Sequence, residues 1–191
     1  NAGNDTLTGG TVADTINGGE GNDIITGNGG ADNLTGGAGY DMFKFIEATH
    51  SNGVNADTIT DFVSGTDKLG IQSNKAITYA GEVSGYGTAL TTLASGTATA
   101  VLDTATSTLY VDLNADGALT VADLAIKLDV NDLSQTDFVS LVGGVSTIKG
   151  TTGDDIITDT AKADTIQGLA GKDTFVFNSD SGSLAIIDII Q

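Results

Sequence analysis

The chain predicts an all-β protein: a parallel β-roll, a mostly-β segment after it, and a second, degenerate β-roll. Three observations carry that prediction. Between Asn1 and Ile46 every ninth residue is an aspartate, at Asp5, Asp14, Asp23, Asp32 and Asp41. Two residues after each stands an apolar side chain: Leu7, Ile16, Ile25, Leu34 and Phe43. From Gly150 the spacing returns at Asp155, Asp164 and Asp173, with Ile157, Ile166 and Phe175 two residues on. A short period in which one turn chemistry and one apolar position recur together marks a solenoid, whose repeats stack to share a core.

The first element follows from the geometry of one repeat, which reads G-G-x-G-x-D-x-(apolar)-x. Glycine reaches the positive φ values that other residues avoid, so the turn bends tightly and its carbonyls point inward. The residues after the aspartate form a short strand whose middle side chain faces the interior. Two nonapeptides complete one coil, so Asp5, Asp23 and Asp41 stack on one edge and Asp14 and Asp32 on the other. Carboxylates about 5 Å apart repel by roughly 0.8 kcal/mol in water, and more where the dielectric is lower. The turn carbonyls and stacked carboxylates form an all-oxygen set suited to calcium, a hard cation that takes six to eight oxygens. The candidate ligands are the five aspartates with Gly19, Gly21, Gly37 and Gly39, and the roll is expected to fold only with the metal. Val12 and Asn28 stand where glycine is expected, which weakens the site joining the Asp14 and Asp32 turns relative to the one joining Asp23 and Asp41.

The segments GGEGNDIIT (18–26) and GGAGYDMFK (36–44) resemble the RTX repeats of exoproteins exported by type I secretion. A flexible Gly/Asp-rich linker would have no reason to hold aspartate and apolar positions in register for five turns. The segment DTITDFVSGTDKLGI (57–71) resembles the stretch that follows the roll in serralysin-type proteins. Its expected task is to cap the open solenoid end, and turn and edge roles are favoured over metal ligation for Asp57, Asp61 and Asp67. By resemblance, such chains cross the secretion channel unfolded and fold outside, in calcium-rich medium.

Composition bounds the function. The 191 residues include no cysteine, which excludes disulfides, thiolate metal sites and a thiol nucleophile. Twenty-two aspartates against three glutamates favour short carboxylates in tight loops. A formal net charge of −18, with seven lysines and no arginine, argues against nucleic acid and anionic membranes as partners. No apolar run approaches membrane-spanning length, and no cleavable signal peptide is legible. The surroundings expected are extracellular or the bacterial cell surface, and the chain reads as part of a longer array.

Past the roll, EATHSNGVNA (47–56) reads as a polar loop that exposes His50, the only histidine; without a partner it is not read as a catalyst. Leu90, Leu93 and Ala94 suggest a short helix over 88–94. Ala100–Leu102 and Leu109–Val111 read as a hairpin turning at 103–107. DLNADGALTVAD (112–123) has the spacing of an EF-hand loop: Asp112, Asn114 and Asp116 at positions one, three and five, Gly117 at six, the Ala118 carbonyl at seven and Asp123 at twelve. The closing aspartate resembles dockerin loops, but the flanks alternate with strand period, so the reading is a calcium loop between two strands, with an ordinary Asx-rich turn as the alternative. Ser134–Asp137 before Phe138 suggests a helix start. In the second roll Lys162 and Leu169 replace glycines. AGKDTFVF (170–177) repeats AGYDMFKF (38–45) at an offset of 132 residues.

The expected organisation is 1–72 roll with capping strands, 73–148 β-rich segment with the loop, and 149–191 second roll. The expected function is a noncatalytic, calcium-dependent structural module of a secreted surface protein of S-layer or adhesin type, whose partners are calcium and copies of itself or neighbouring repeats. Two alternatives remain: the secretion and folding module of a hydrolase, although H-E-x-x-H and G-x-S-x-G are absent, and a carbohydrate-associated module with Tyr79 and Tyr86 as the stacking candidates.

Overall fold

The computed structural model describes residues 2–73, 75–85, 98–120, 122–130, 132–142, 146–149, 153, 156–158, 164–167, 170–172 and 174–176. The described chain is strands and turns, with two single 3-10 turns, so the all-β prediction holds. It divides into two compact units, Asn1–Leu141 and Val142–Gln191.

The nonapeptides supply β1 (Thr6–Thr8), β2 (Thr15–Glu20), β3 (Ile24–Thr26), β4 (Asn33–Ala38) and β5 (Met42–Phe45). Odd and even repeats feed opposite sheets. β1 pairs in parallel with β3 through Leu7↔Ile25, and β2 with β4 through Ile16↔Leu34. Both pairings are eighteen residues long in register, one full coil. Pleat alternation puts Ile25, Leu34 and Phe43 fully inside, while Ile24 between them remains partly exposed. Leu7 and Ile16, on the first coil, pack against this core but are only partly covered.

Beyond the repeats the roll continues through less regular sequence. β6 (Asp57–Ile59) pairs with β4, and β7 (Lys68–Ser73) with β5, both in parallel. Ile59 and Leu69 continue the apolar columns, and Phe62 packs its ring 6.2 Å from that of Phe43. The 47–56 segment departs from the expected exposed loop: it contains a 3-10 turn at Ala48–His50 that buries the imidazole. Ser51 is tied in by its hydroxyl, which donates to the Ala125 carbonyl at 2.6 Å.

The middle segment continues the same sheet. β8 (Ile77–Val83), β9 (Ala98–Asp103), β10 (Thr108–Asp112) and β11 (Leu124–Leu128) complete the order β2-β4-β6-β11-β10-β9-β8. β9 and β10 form the expected antiparallel hairpin, and β11 joins the roll through parallel pairing with β6. The residues read as a helix over 88–94 lie outside the described residues. The helix expected from Ser134 is corrected: one 3-10 turn, Gln135–Asp137, gives way to β12 (Phe138–Val142), which closes the order β1-β3-β5-β7-β12. Aromatic and β-branched residues, Phe138, Val139 and Val142, favour a strand.

In the second unit β13 (Ser146–Lys149) pairs in parallel with β15 (Asp164–Gln167), and β14 (Ile156–Thr158) with β16 (Thr174–Val176). Both registers are again eighteen residues, as Ile157↔Phe175 shows.

Candidate metal centre

The aspartates of the first roll form two hydrogen-bonded series. On one edge the Asp5 amide donates to Oδ1 of Asp23, and the Asp23 amide to Oδ1 of Asp41, both at 2.8 Å. On the other edge the Asp14 amide donates to Oδ1 of Asp32 at 2.8 Å. These are the two stacks that the period predicts. Each continues one step beyond the repeats: the Asp32 amide reaches Oδ1 of Asp57 at 2.9 Å and the Asp41 amide Oδ1 of Asp67 at 3.1 Å. The turn and edge roles expected for Asp57 and Asp67 therefore include carrying the carboxylate series beyond the repeats. The sequence spacing widens there from eighteen to 25 and 26 residues, which hid the relation.

With Oδ1 of Asp23, Asp32, Asp41 and Asp57 committed, the second oxygen is what remains for a cation. Oδ2 of Asp5, Asp23, Asp32, Asp41 and Asp57 is buried without a hydrogen-bond partner. An orphaned buried carboxylate oxygen is costly unless something charged satisfies it. The turns leave room for these oxygens: a Cβ added at Gly18, Gly27 or Gly36 would collide with Oδ2 of Asp23, Asp32 or Asp41 respectively. Orphaned oxygens over glycine cradles fit a hard, oxygen-seeking ion. Among the described residues no three His, Cys, Asp or Glu side chains converge on one point.

The electrostatics agree. Burial, opposed by the Asp32 amide and reinforced by the Asp32 charge, pushes the Asp57 carboxyl up to about 7. Burial also raises Asp41, with the charges of Asp67, Asp23 and Asp61 adding to it. Asp32 is raised by burial and the neighbouring Asp14 charge, against the Asp14 amide and His50. His50 is lowered by burial despite Glu47 and Asp32, and its Nδ1 has no partner.

One edge has a closed end. Asp67 accepts the Asp41 amide on Oδ1 and the Val63 amide on Oδ2 at 2.8 Å, so neither oxygen is left over. Asp61 accepts the amides of Gly36 and Gly37 at 2.9 and 2.8 Å. Asp137, marked in the sequence only as the end of the helix start at Ser134, is fully buried and receives Ser64 Oγ, the Gly65 amide and the Ser134 amide, each at 2.8 Å. Burial would raise its carboxyl, but these donors and Lys68 hold it below the usual range.

The twelve-residue loop lies between β10 and β11, the strand–loop–strand setting expected. Its carboxylates close on its own backbone. Asp112 accepts the amides of Ala115 and Gly117 at 2.7 and 2.8 Å, Asp116 that of Ala118 at 2.8 Å, and Asp123 those of Leu113 and Thr120 at 3.0 and 2.8 Å. Asn114 accepts the Asp116 amide at 3.0 Å. In the second roll Asp164 opens β15, whereas Asp155 and Asp173 lie outside the described residues. Of the aromatic candidates for sugar stacking, Tyr79 stacks on Phe138 at 5.4 Å and donates its hydroxyl to Glu82, and Tyr86 lies outside the described residues.

No curated protein matches the chain. Residues 149–184 match the family described as RTX calcium-binding nonapeptide repeat (4 copies), so the cofactor is calcium. Residues 2–140 match the family described as Peptidase M10 serralysin C terminal. The matched parts are a C-terminal domain and repeats, not a catalytic domain, and they mark a calcium-dependent module of a type I secreted, extracellular protein. The chain, matched over most of its length, belongs to the Peptidase M10 serralysin C-terminal family.

Proposed function

We propose that this chain is a noncatalytic, calcium-triggered folding module, and that Asp5, Asp23, Asp32 and Asp41, with the carbonyls of Gly19, Gly21, Gly37 and Gly39, hold the ions of the first roll. The observation that carries this reading is the set of buried, partnerless Oδ2 atoms along stacked turns. Bound calcium supplies positive charge between carboxylates that otherwise repel. The chain's own residues do the rest: Oδ1 of Asp23, Asp32 and Asp41 fixes the amide of the coil before it, and Gly18, Gly27 and Gly36 keep the space over their Oδ2 atoms open. By the same pattern Asp155, Asp164 and Asp173 serve the second roll. The loop of Asp112, Asn114, Asp116, Ala118 and Asp123 is a separate candidate, on its EF-hand spacing between two strands. The organisation proposed is 1–72, 73–148 and 149–191, with the first two sharing a sheet. Circular dichroism of the chain at pH 7.5, above the raised carboxyls, in EDTA and again with calcium at ~1 mM, the upper range for extracellular modules, tests the proposal. The expected result is a strand spectrum only with calcium, and identical spectra would sink it.

Two settings suit such a module. The recurrence of the roll after 132 residues favours a surface protein of S-layer or adhesin type whose blocks associate with one another. The serralysin C-terminal match favours service to an exported hydrolase. Sedimentation of the calcium-loaded chain separates them: concentration-dependent self-association supports the array, and a monomer at all concentrations supports the hydrolase setting.

A further inference from the structure

The two edges of the first roll are not equivalent. In the regular turns the second and fourth positions both have positive φ: Gly19 and Gly21 at 112° and 118°, Gly37 and Gly39 at 101° and 142°. In the Asp32 turn those positions are Asn28, at 65°, and Gly30, at 131°. The Asp14 turn keeps neither: Gly10 and Val12 are not among the positive-φ residues, and Val12 is 69% exposed. That turn therefore takes another path, and its polar atoms find partners within the protein. The Gly10 amide donates to Oδ2 of Asp14 at 2.6 Å, so this carboxylate lacks the free second oxygen its counterparts keep. The Asn28 carboxamide donates Nδ2 to the Gly9 carbonyl at 2.8 Å, across the gap between the two turns. The Gly29 amide donates to the Gly10 carbonyl at 3.2 Å.

We propose that Asn28 takes the place of a cation: its side-chain amide satisfies the Gly9 carbonyl and the Gly10 amide satisfies Oδ2 of Asp14, so the joint between the Asp14 and Asp32 turns assembles without calcium, and Oδ2 of Asp32 serves the joint with the Asp57 turn, where Oδ2 of Asp57 is partnerless too. Asparagine suits the position twice over. It is among the few non-glycine residues that tolerate left-handed φ, and its NH2 group donates to a carbonyl at the distance a hydrogen bond requires. The edge of Asp5, Asp23 and Asp41 remains metal-dependent, so one roll contains a joint closed by protein donors beside joints closed by ions.

This rests on the calcium reading of the roll, and the test separates the two. Calcium bound per full chain is counted by equilibrium dialysis for the wild type, D41N, D14N and the double variant V12G/N28G. D41N is expected to lose calcium while D14N retains the wild-type number, and V12G/N28G, which restores the regular G-x-G spacing, is expected to gain one ion. Loss of an ion in D14N overturns the inference, as does an unchanged count in a folded V12G/N28G. Should the double variant not fold, the D14N count decides alone. A wild type that binds no calcium overturns the parent reading, and this inference with it.

Discussion

Gly37 shows how closely single positions are specified. Its φ is +101°, and an added Cβ would run into the Gly19 backbone carbonyl one coil away. Backbone cannot yield as a flexible side chain can, so Gly37→Ala is expected to cost about 1 to 3 kcal/mol. Gly53, with open space around it, provides the contrast, and Gly53→Ala should change little. Denaturant midpoints in calcium measure both. At this scale much was legible beforehand: the aspartate and apolar columns and their two edges follow from counting. Asn28 and Val12 were visible as departures from the repeat, but their consequence was not. That asparagine donates to Gly9, and that Asp14 turns back on Gly10, depend on three-dimensional proximity that a nine-residue pattern does not encode.

Among the elements, the repeats and the hairpin were readable because local chemistry decides them: turn glycines in one case, alternating Leu109 and Val111 in the other. The cap was harder. Asp57 and Asp67 occupy the next step of each carboxylate series, yet insertions of seven and eight residues separate them from the period. The loop at 47–56 looked polar and exposed; it buries His50 because Ser51 is drawn in by the β11 backbone, on the Ala125 carbonyl and amide. The start of a helix at Ser134 was a real local signal, and Gln135–Asp137 does turn once. An available sheet edge and strand-favouring side chains then outweighed it. Asp137 was legible only as part of that start, since two of its donors, Ser64 and Gly65, arrive from 73 and 72 residues away.

At the scale of the whole molecule, carboxylates with raised proton affinity make the fold and its ion content respond oppositely to acid. An unfolded Asp57 loses its proton near the ordinary carboxylate value, 3.8, while the folded one holds it to about 7. Between these values the folded state binds more protons, so without calcium its stability falls as pH rises through that window. Asp32, Asp41 and Asp67, all raised, act in the same direction. Calcium needs the deprotonated form, so its apparent affinity is expected to weaken as pH drops below about 7. Calcium titrations at pH 5, 6 and 7.5, with dichroism in EDTA across the same range, check both signs. A folded fraction in EDTA that rises with pH would contradict the shifts. The closed end at Asp67 also makes the two edges of the roll end differently. Asp67 accepts chain amides on both oxygens, so the run of partnerless Oδ2 atoms on that edge ends at Asp41, while on the other edge it runs on to Asp57.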